Sequence, residues 1–149
     1  MGNVVLHHLP RTQDPGEVEA WHESVEDSLD LILRERVVTR DATPTILLTV
    51  KLDVQTNYLF EFFITARRTG GSAGTANDGA AWRGWVVYKM VVATATKVGS
   101  ETIALQGADN GGLTIGLSQS DDNVQWQVTG VANQDYAWSI ELRTFTISL

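Results

Sequence analysis

Four groups of residues in this 149-residue chain are of types that do chemistry, and each would do a different kind. His7, His8 and His22 are its only imidazoles. His7 and His8 are adjacent, so on a strand they point to opposite faces and cannot easily share a metal. His22 borders an apolar helical stripe and reads as a packing residue, so no metal site is expected. Glu61, Glu101 and Glu141 fall in or beside strand patterns, and two carboxylates facing across a cleft would suit glycoside cleavage. Acids alternating with apolar residues are more simply the wet face of a sheet. No serine sits in a G-x-S-x-G elbow, so the chain reads as non-enzymatic. Gly70-Gly71-Ser72-Ala73-Gly74 has the composition of a phosphate cradle but lacks the lysine and the helix that must follow one. No cofactor is expected. Of the five tryptophans, Trp82, Trp85, Trp126 and Trp138 fall in strands, where their rings could stack on sugars or fill a core. Core packing is the expected role for most, and Trp82 is the candidate for an exposed contact.

The element that would display such a contact runs from Ala66 to Trp82, ARRTGGSAGTANDGAAW. It lies between two aromatic-rich strand patterns and is too rich in small residues to pack by side chains, so its backbone must fit against something. Arg67 and Arg68 stand at its mouth. Arg67, Arg68, Gly70, Gly71, Asn77, Asp78 and Trp82 are the candidate loop or interface residues, since an all-β scaffold displays function on its loops.

One helix is expected. Asp14 can cap, Pro15 suits the first helical position and Glu17 stands where a capping-box carboxylate belongs. The pattern runs to about Arg34 or Arg36, with Val18, Trp21, Val25, Leu29 and Ile32 on one narrow stripe. Acids crowd its first turns and arginines its end, as the helix dipole favours. Such a stripe is marginal alone. It either docks on another protein, knits an oligomer or covers the chain's own sheet. Residues 1–38 are therefore expected to be an attachment arm and residues 39–149 a separate β-domain, divided by the segment from Val38 to Pro44.

From Pro44 onward the period is two. Ile46 to Val54, Tyr58 to Arg67, Trp82 to Thr94, Glu101 to Leu105, Leu113 to Gln119, Val124 to Thr129 and Trp138 to Leu149 read as strands. In the last, Trp138, Ile140 and Leu142 have one parity and Phe145, Ile147 and Leu149 the other. A bulge near Arg143-Thr144 would restore a common face. The fold expected is mainly β, an antiparallel sandwich or jelly-roll-like domain with one N-terminal amphipathic helix.

Eighteen acids against eleven bases give a net charge of -7, which argues against general nucleic-acid binding. The absence of cysteine removes disulfides and thiolate metal sites. The first residues do not read as a signal peptide, and no apolar run is long enough for membrane insertion.

Three segments resemble a β-domain of bacteriophage tail fibres and other virion surface proteins. They are TRDATPT from Thr39 to Thr45, ARRTGGSAGTANDGAAW, and VQWQVTGVANQDYAWSIELRT from Val124 to Thr144. The resemblance implies a non-enzymatic virion structural protein, a homotrimer on the particle surface, and the charge of -7 and the lack of cysteine agree with assembly in the host cytoplasm. The expected place is the tail, as a small fibre or tail-tip protein contacting other virion proteins and a host surface glycan. Capsid decoration, as a cement protein stabilising the head, is the alternative, and a glycan-binding module the second.

Overall fold

The structure, a computed structural model, describes residues 31–148. The alternation read in the sequence becomes eight strands: β1 (Leu31–Thr39), β2 (Pro44–Lys51), β3 (Thr56–Gly71), β4 (Gly79–Met90), β5 (Ala95–Ala108), β6 (Thr114–Ser120), β7 (Asn123–Thr129) and β8 (Gln134–Ser148). They form a five-stranded sheet in the order β1-β8-β3-β4-β5 and a three-stranded sheet in the order β2-β7-β6. Every pairing is antiparallel.

The core lies between the sheets and is made by one parity of each strand. Tyr58, Phe60, Phe62, Ile64 and Ala66 of β3 stand beside Val86, Tyr88 and Met90 of β4 and Trp138, Ile140 and Leu142 of β8. Val124, Trp126 and Val128 of β7 meet them from the smaller sheet, with the Trp126 ring set edge-on to Phe60 at 5.3 Å and to Phe62 at 6.0 Å. Edge-to-face aromatic pairs of this kind each add about 0.5–1.5 kcal/mol beyond area burial.

The structure corrects three sequence expectations here. The helix does not reach Arg34 or Arg36: residues 31–39 are β1, paired residue for residue with β8 from Leu31↔Thr144 to Thr39↔Tyr136. In that pairing Leu33 and Val37 turn inward against the core, while Ile32, 47% exposed, faces outward with Arg34 and Arg36. A ladder of tertiary hydrogen bonds outweighs a helical pattern that continues for only two turns. Residues 31–38 thus belong to the sheet. The proposed attachment arm, with Val18, Trp21, Val25 and Leu29, otherwise lies outside the described residues.

The second correction is at β8. No bulge occurs at Arg143-Thr144, and the register with β3 continues unbroken to Thr56↔Ser148. Phe145 and Ile147 accordingly stay on the outward face, Ile147 with 74% of its surface exposed. The irregularity lies elsewhere on this pair, between Arg68 and Gly70. The third is in β2, where the register shifts between Ile46 and Leu48. Leu47 and Leu48 are both buried while Ile46 and Val54 are exposed, so the simple alternation from Ile46 to Val54 fails at a bulge.

The outward face of the larger sheet is mixed. Arg34 Nε and Arg143 Nη2 donate to Glu141, at 3.1 and 3.4 Å, and Arg83 Nη2 donates to Glu61 at 2.9 Å. The Arg83 and Arg143 guanidinium groups both stand over the Phe63 ring, 5.4 and 5.5 Å from its centre.

Candidate functional site

The three segments singled out in the sequence meet at one end of the sandwich. Thr39 closes β1 there and is 2% exposed. Its Oγ1 accepts a hydrogen bond from Trp138 Nε1 at 2.8 Å, joining the first segment to the third. The same oxygen lies 2.4 Å from where a Cβ on Gly130 would stand, and the Asp41 carbonyl 2.7 Å from it, so only glycine allows the chain to pass. Asp41 shapes the turn into β2 by accepting from the Thr43 amide at 2.8 Å. That bond holds its carboxyl below the usual range.

The second segment closes over this junction. β3 and β4 pair as far as Arg67↔Gly79, so the loop proper is residues 72–78, and its long glycine-rich approach is strand. Gly71 has φ +93°, open to glycine alone, and a Cβ on it would stand 2.4 Å from the Asn133 carbonyl. Gly74 rests on the Gln134 side chain, 2.5 Å from its Oε1 by the same measure. The Ala73 amide donates to the Asn133 carbonyl at 3.1 Å. The backbone therefore fits against the turn before β8.

Below the loop, Gln134 Oε1 accepts from the buried Tyr136 hydroxyl at 3.0 Å and from Asn110 Nδ2 at 3.2 Å. Burial raises the Tyr136 phenol above its ordinary value, so it stays protonated and a donor. Beneath these groups Trp82 stacks on Trp138, ring centres 5.6 Å apart and planes 22° from parallel.

The candidate residues divide by role. Arg67 is outward, and its Nη2 donates to Asn77 Oδ1 at 2.6 Å. Arg68 points under the loop, with Nη2 donating to the Gly71 carbonyl at 3.0 Å and its amide to the Asp78 carbonyl at 2.8 Å. Asp78 Oδ2 accepts from the Thr75 amide at 3.2 Å, so this carboxylate holds the loop tip. Gly70 and Gly71 are the contact with Asp135 and Asn133. Trp82 is a correction: it is 6% exposed and part of the core, because it shares the inward parity of Val86 and Tyr88. The tryptophan with an open face on this strand is Trp85, at 46%.

Sequence reading missed Asp109, whose Oδ2 accepts from the Gly79 amide at 2.9 Å while its own amide donates to the Gly79 carbonyl. It also missed Asn110 and Asn133. Asn133 stands at φ +61°, and the run Ala-Asn-Gln-Asp around it is a turn signal that could have marked it. Arg67, Asn77, Ala81, Gly107 and Asp109 border a shallow open depression of about 510 Å³. The Arg67 guanidinium is bonded to the Asn77 amide and the Asp109 carboxylate to the Gly79 backbone, so the polar groups set here among alanine and glycine already have partners.

No protein-family model and no curated protein matches the sequence. Among solved structures, the chain is similar to the tailspike protein of Acinetobacter baumannii phage AM24, with a TM-score of 0.46 and 8% identity over 85% of this chain and 27% of that one. The tailspike gp49 of Acinetobacter baumannii bacteriophage Fri1, a capsular polysaccharide depolymerase, gives a TM-score of 0.42 and 10% identity over 99% of this chain and 23% of that one. The tailspike of Acinetobacter phage vB_ApiP_P1 gives 0.34 and 16%, over 77% and 21%. The chain thus spans about a quarter of the length of these proteins.

Proposed function

We propose that this chain is a non-enzymatic structural module of a bacteriophage virion, carried on the tail as a homotrimer, with the loop end as its outward or intersubunit surface. One observation carries the reading. The three segments that resemble the tail-fibre β-domain are far apart in sequence, yet they converge on the Thr39–Trp138–Trp82 junction and the Gly71–Asn133 contact. Residues that carry the resemblance are thus the ones that lock the scaffold, as a relationship of fold requires. The loop they hold presents Arg67 hydrogen-bonded to Asn77, and a side chain held by such a bond loses less entropy on docking than a free one.

Protein mass spectrometry of purified particles tests the location. A few dozen copies or fewer per particle is the expected result, and hundreds would move the chain to the capsid lattice as a cement protein. Light scattering tests the trimer, which a monomer at micromolar concentration would contradict. Incubation with host polysaccharide tests the role: depolymerisation would overturn the non-enzymatic reading.

A further inference from the structure

On the outward face of the five-stranded sheet, one apolar row crosses four strands without a polar interruption. Phe145 of β8 is the register mate of Leu59 of β3, Leu59 of Val87 of β4, and Val87 of Val98 of β5. Leu59, Phe145 and Val98 are exposed. Trp85 continues the patch on one side and Ile147 on the other, and an apolar-walled cleft of about 270 Å³ runs between Leu59, Val87, Phe145 and Ile147. A patch of this kind on a sheet marks a contact surface.

We infer that residues 14–30 of this same chain cover the row, laying Val18, Trp21, Val25 and Leu29 across it. Position supports this first. Leu31, the first described residue, stands opposite Thr144 at the edge of the sheet, one register position from Phe145, where the row starts. Length agrees. As a helix, seventeen residues span about 25 Å, and the three strand spacings from β8 to β5 span about 14 Å.

Charge supports it independently. Residues 14–30 hold seven acids and no lysine or arginine: Asp14, Glu17, Glu19, Glu23, Glu26, Asp27 and Asp30. The register places Arg143 and Lys89 in the rows that flank the apolar one, and Arg34, Arg83 and Arg36 further along the same face. Arg34 and Arg143 share Glu141 and Arg83 pairs with Glu61, so bases outnumber acids there. Residues 1–30 contain seven of the eighteen acids and one of the eleven bases, so residues 31–149 are nearly neutral with eleven acids and ten bases. An acidic segment with one apolar stripe is complementary to an apolar row on a face where bases outnumber acids.

Since the chain has no cysteine, paired cysteines introduced into the full-length protein report the contact directly. Val25→Cys is combined with Val87→Cys, and Leu29→Cys with Leu59→Cys. Glu23→Cys with Val87→Cys is the polar-side control. Mild oxidation at micromolar protein should consume both thiols of the stripe pairs and give a faster-migrating monomer on a non-reducing gel, with the control pair largely unreacted. Disulfide-linked dimers or trimers would overturn the proposal by making the occupant another copy, and free thiols in both stripe pairs would overturn it outright. Acrylamide quenching gives a readout without cysteines. In Trp21→Phe, Trp85 is the remaining tryptophan with an open face, and adding Val25→Asp should raise its quenching severalfold. Equal quenching with and without Val25→Asp would show that nothing is displaced from the face.

Discussion

The loop end and the outward face are built on the same strands, β3, β4 and β8, by opposite means. At the loop end, order comes from close approach. Gly71 and Gly130 admit backbone where any side chain would collide, and Thr39 and Gln134 satisfy the buried Trp138 and Tyr136. On the outward face, order comes from exposed ion pairs and an apolar row with open neighbours. The first arrangement is specified internally and tolerates little change. The second is permissive within the domain, and its composition answers to whatever covers it.

That contrast can be broken most severely at Trp138. Trp138→Ala removes the ring that stacks on Trp82 and leaves a large cavity, and should cost about 4 kcal/mol, read as a lowered denaturation midpoint in urea. Next comes Gly71→Ala, which combines an unfavourable φ with a steric clash and should lose about 2–3 kcal/mol. Gly107→Ala on β5 meets nothing within 4 Å and should change stability by less than about 1 kcal/mol. Equal losses for the two glycine variants would refute the latch at the loop end. Thr39→Val keeps the shape but strands the Trp138 indole N–H, for an expected loss of about 1–3 kcal/mol. On the outward face, Val38→Thr, on β1 and away from the apolar row, should shift the same midpoint by no more than about 0.5 kcal/mol.

The smallest effect is electrostatic. Hydrogen bonding from Arg34 holds the partly exposed Glu141 carboxyl below its ordinary value, with a second contribution from Arg143. A depressed folded pKa stabilises above the unfolded carboxylate range, and that contribution is lost as pH falls through the folded value. Thermal melts from pH 6 to pH 3 should therefore show a slight acid loss that Arg34→Gln reduces and added salt screens. Identical pH profiles with and without Arg34 would mean that the pair contributes nothing.

The strands were legible because alternation in β3, β4, β7 and β8 maps directly onto inward and outward positions. The start of β1 was not. Leu31 to Arg36 satisfies a helical wheel as well as a strand, and only its pairing with β8 decides between them. Phe145 and Ile147 misled for a related reason. Their outward parity reads as an error to be repaired by a bulge, when it is a real apolar face. Arg67, Arg68 and the glycines were legible as a loop whose backbone is pressed against something. What it presses on, Asn133 and Gln134, was not, since contacts that distant leave no local signal. Trp82 differs from Trp85 only in parity, and the choice between core and surface rests on that one residue of offset.

The position of β8 also governs the order in which the chain can fold. The last strand in sequence lies between the first and the third, and the bond from Trp138 to Thr39 joins residues 99 apart. During synthesis, β1 and one side of β3 must wait as open edges until β8 emerges, while β3 with β4 and β6 with β7 can already pair as local hairpins. Closing loops of that length early is entropically unfavourable, so the larger sheet should assemble late and slowly. During that interval a second nascent chain offering its own β8 is a competitor for the same slot. Strand exchange between copies is therefore the misassembly to which this topology is most open.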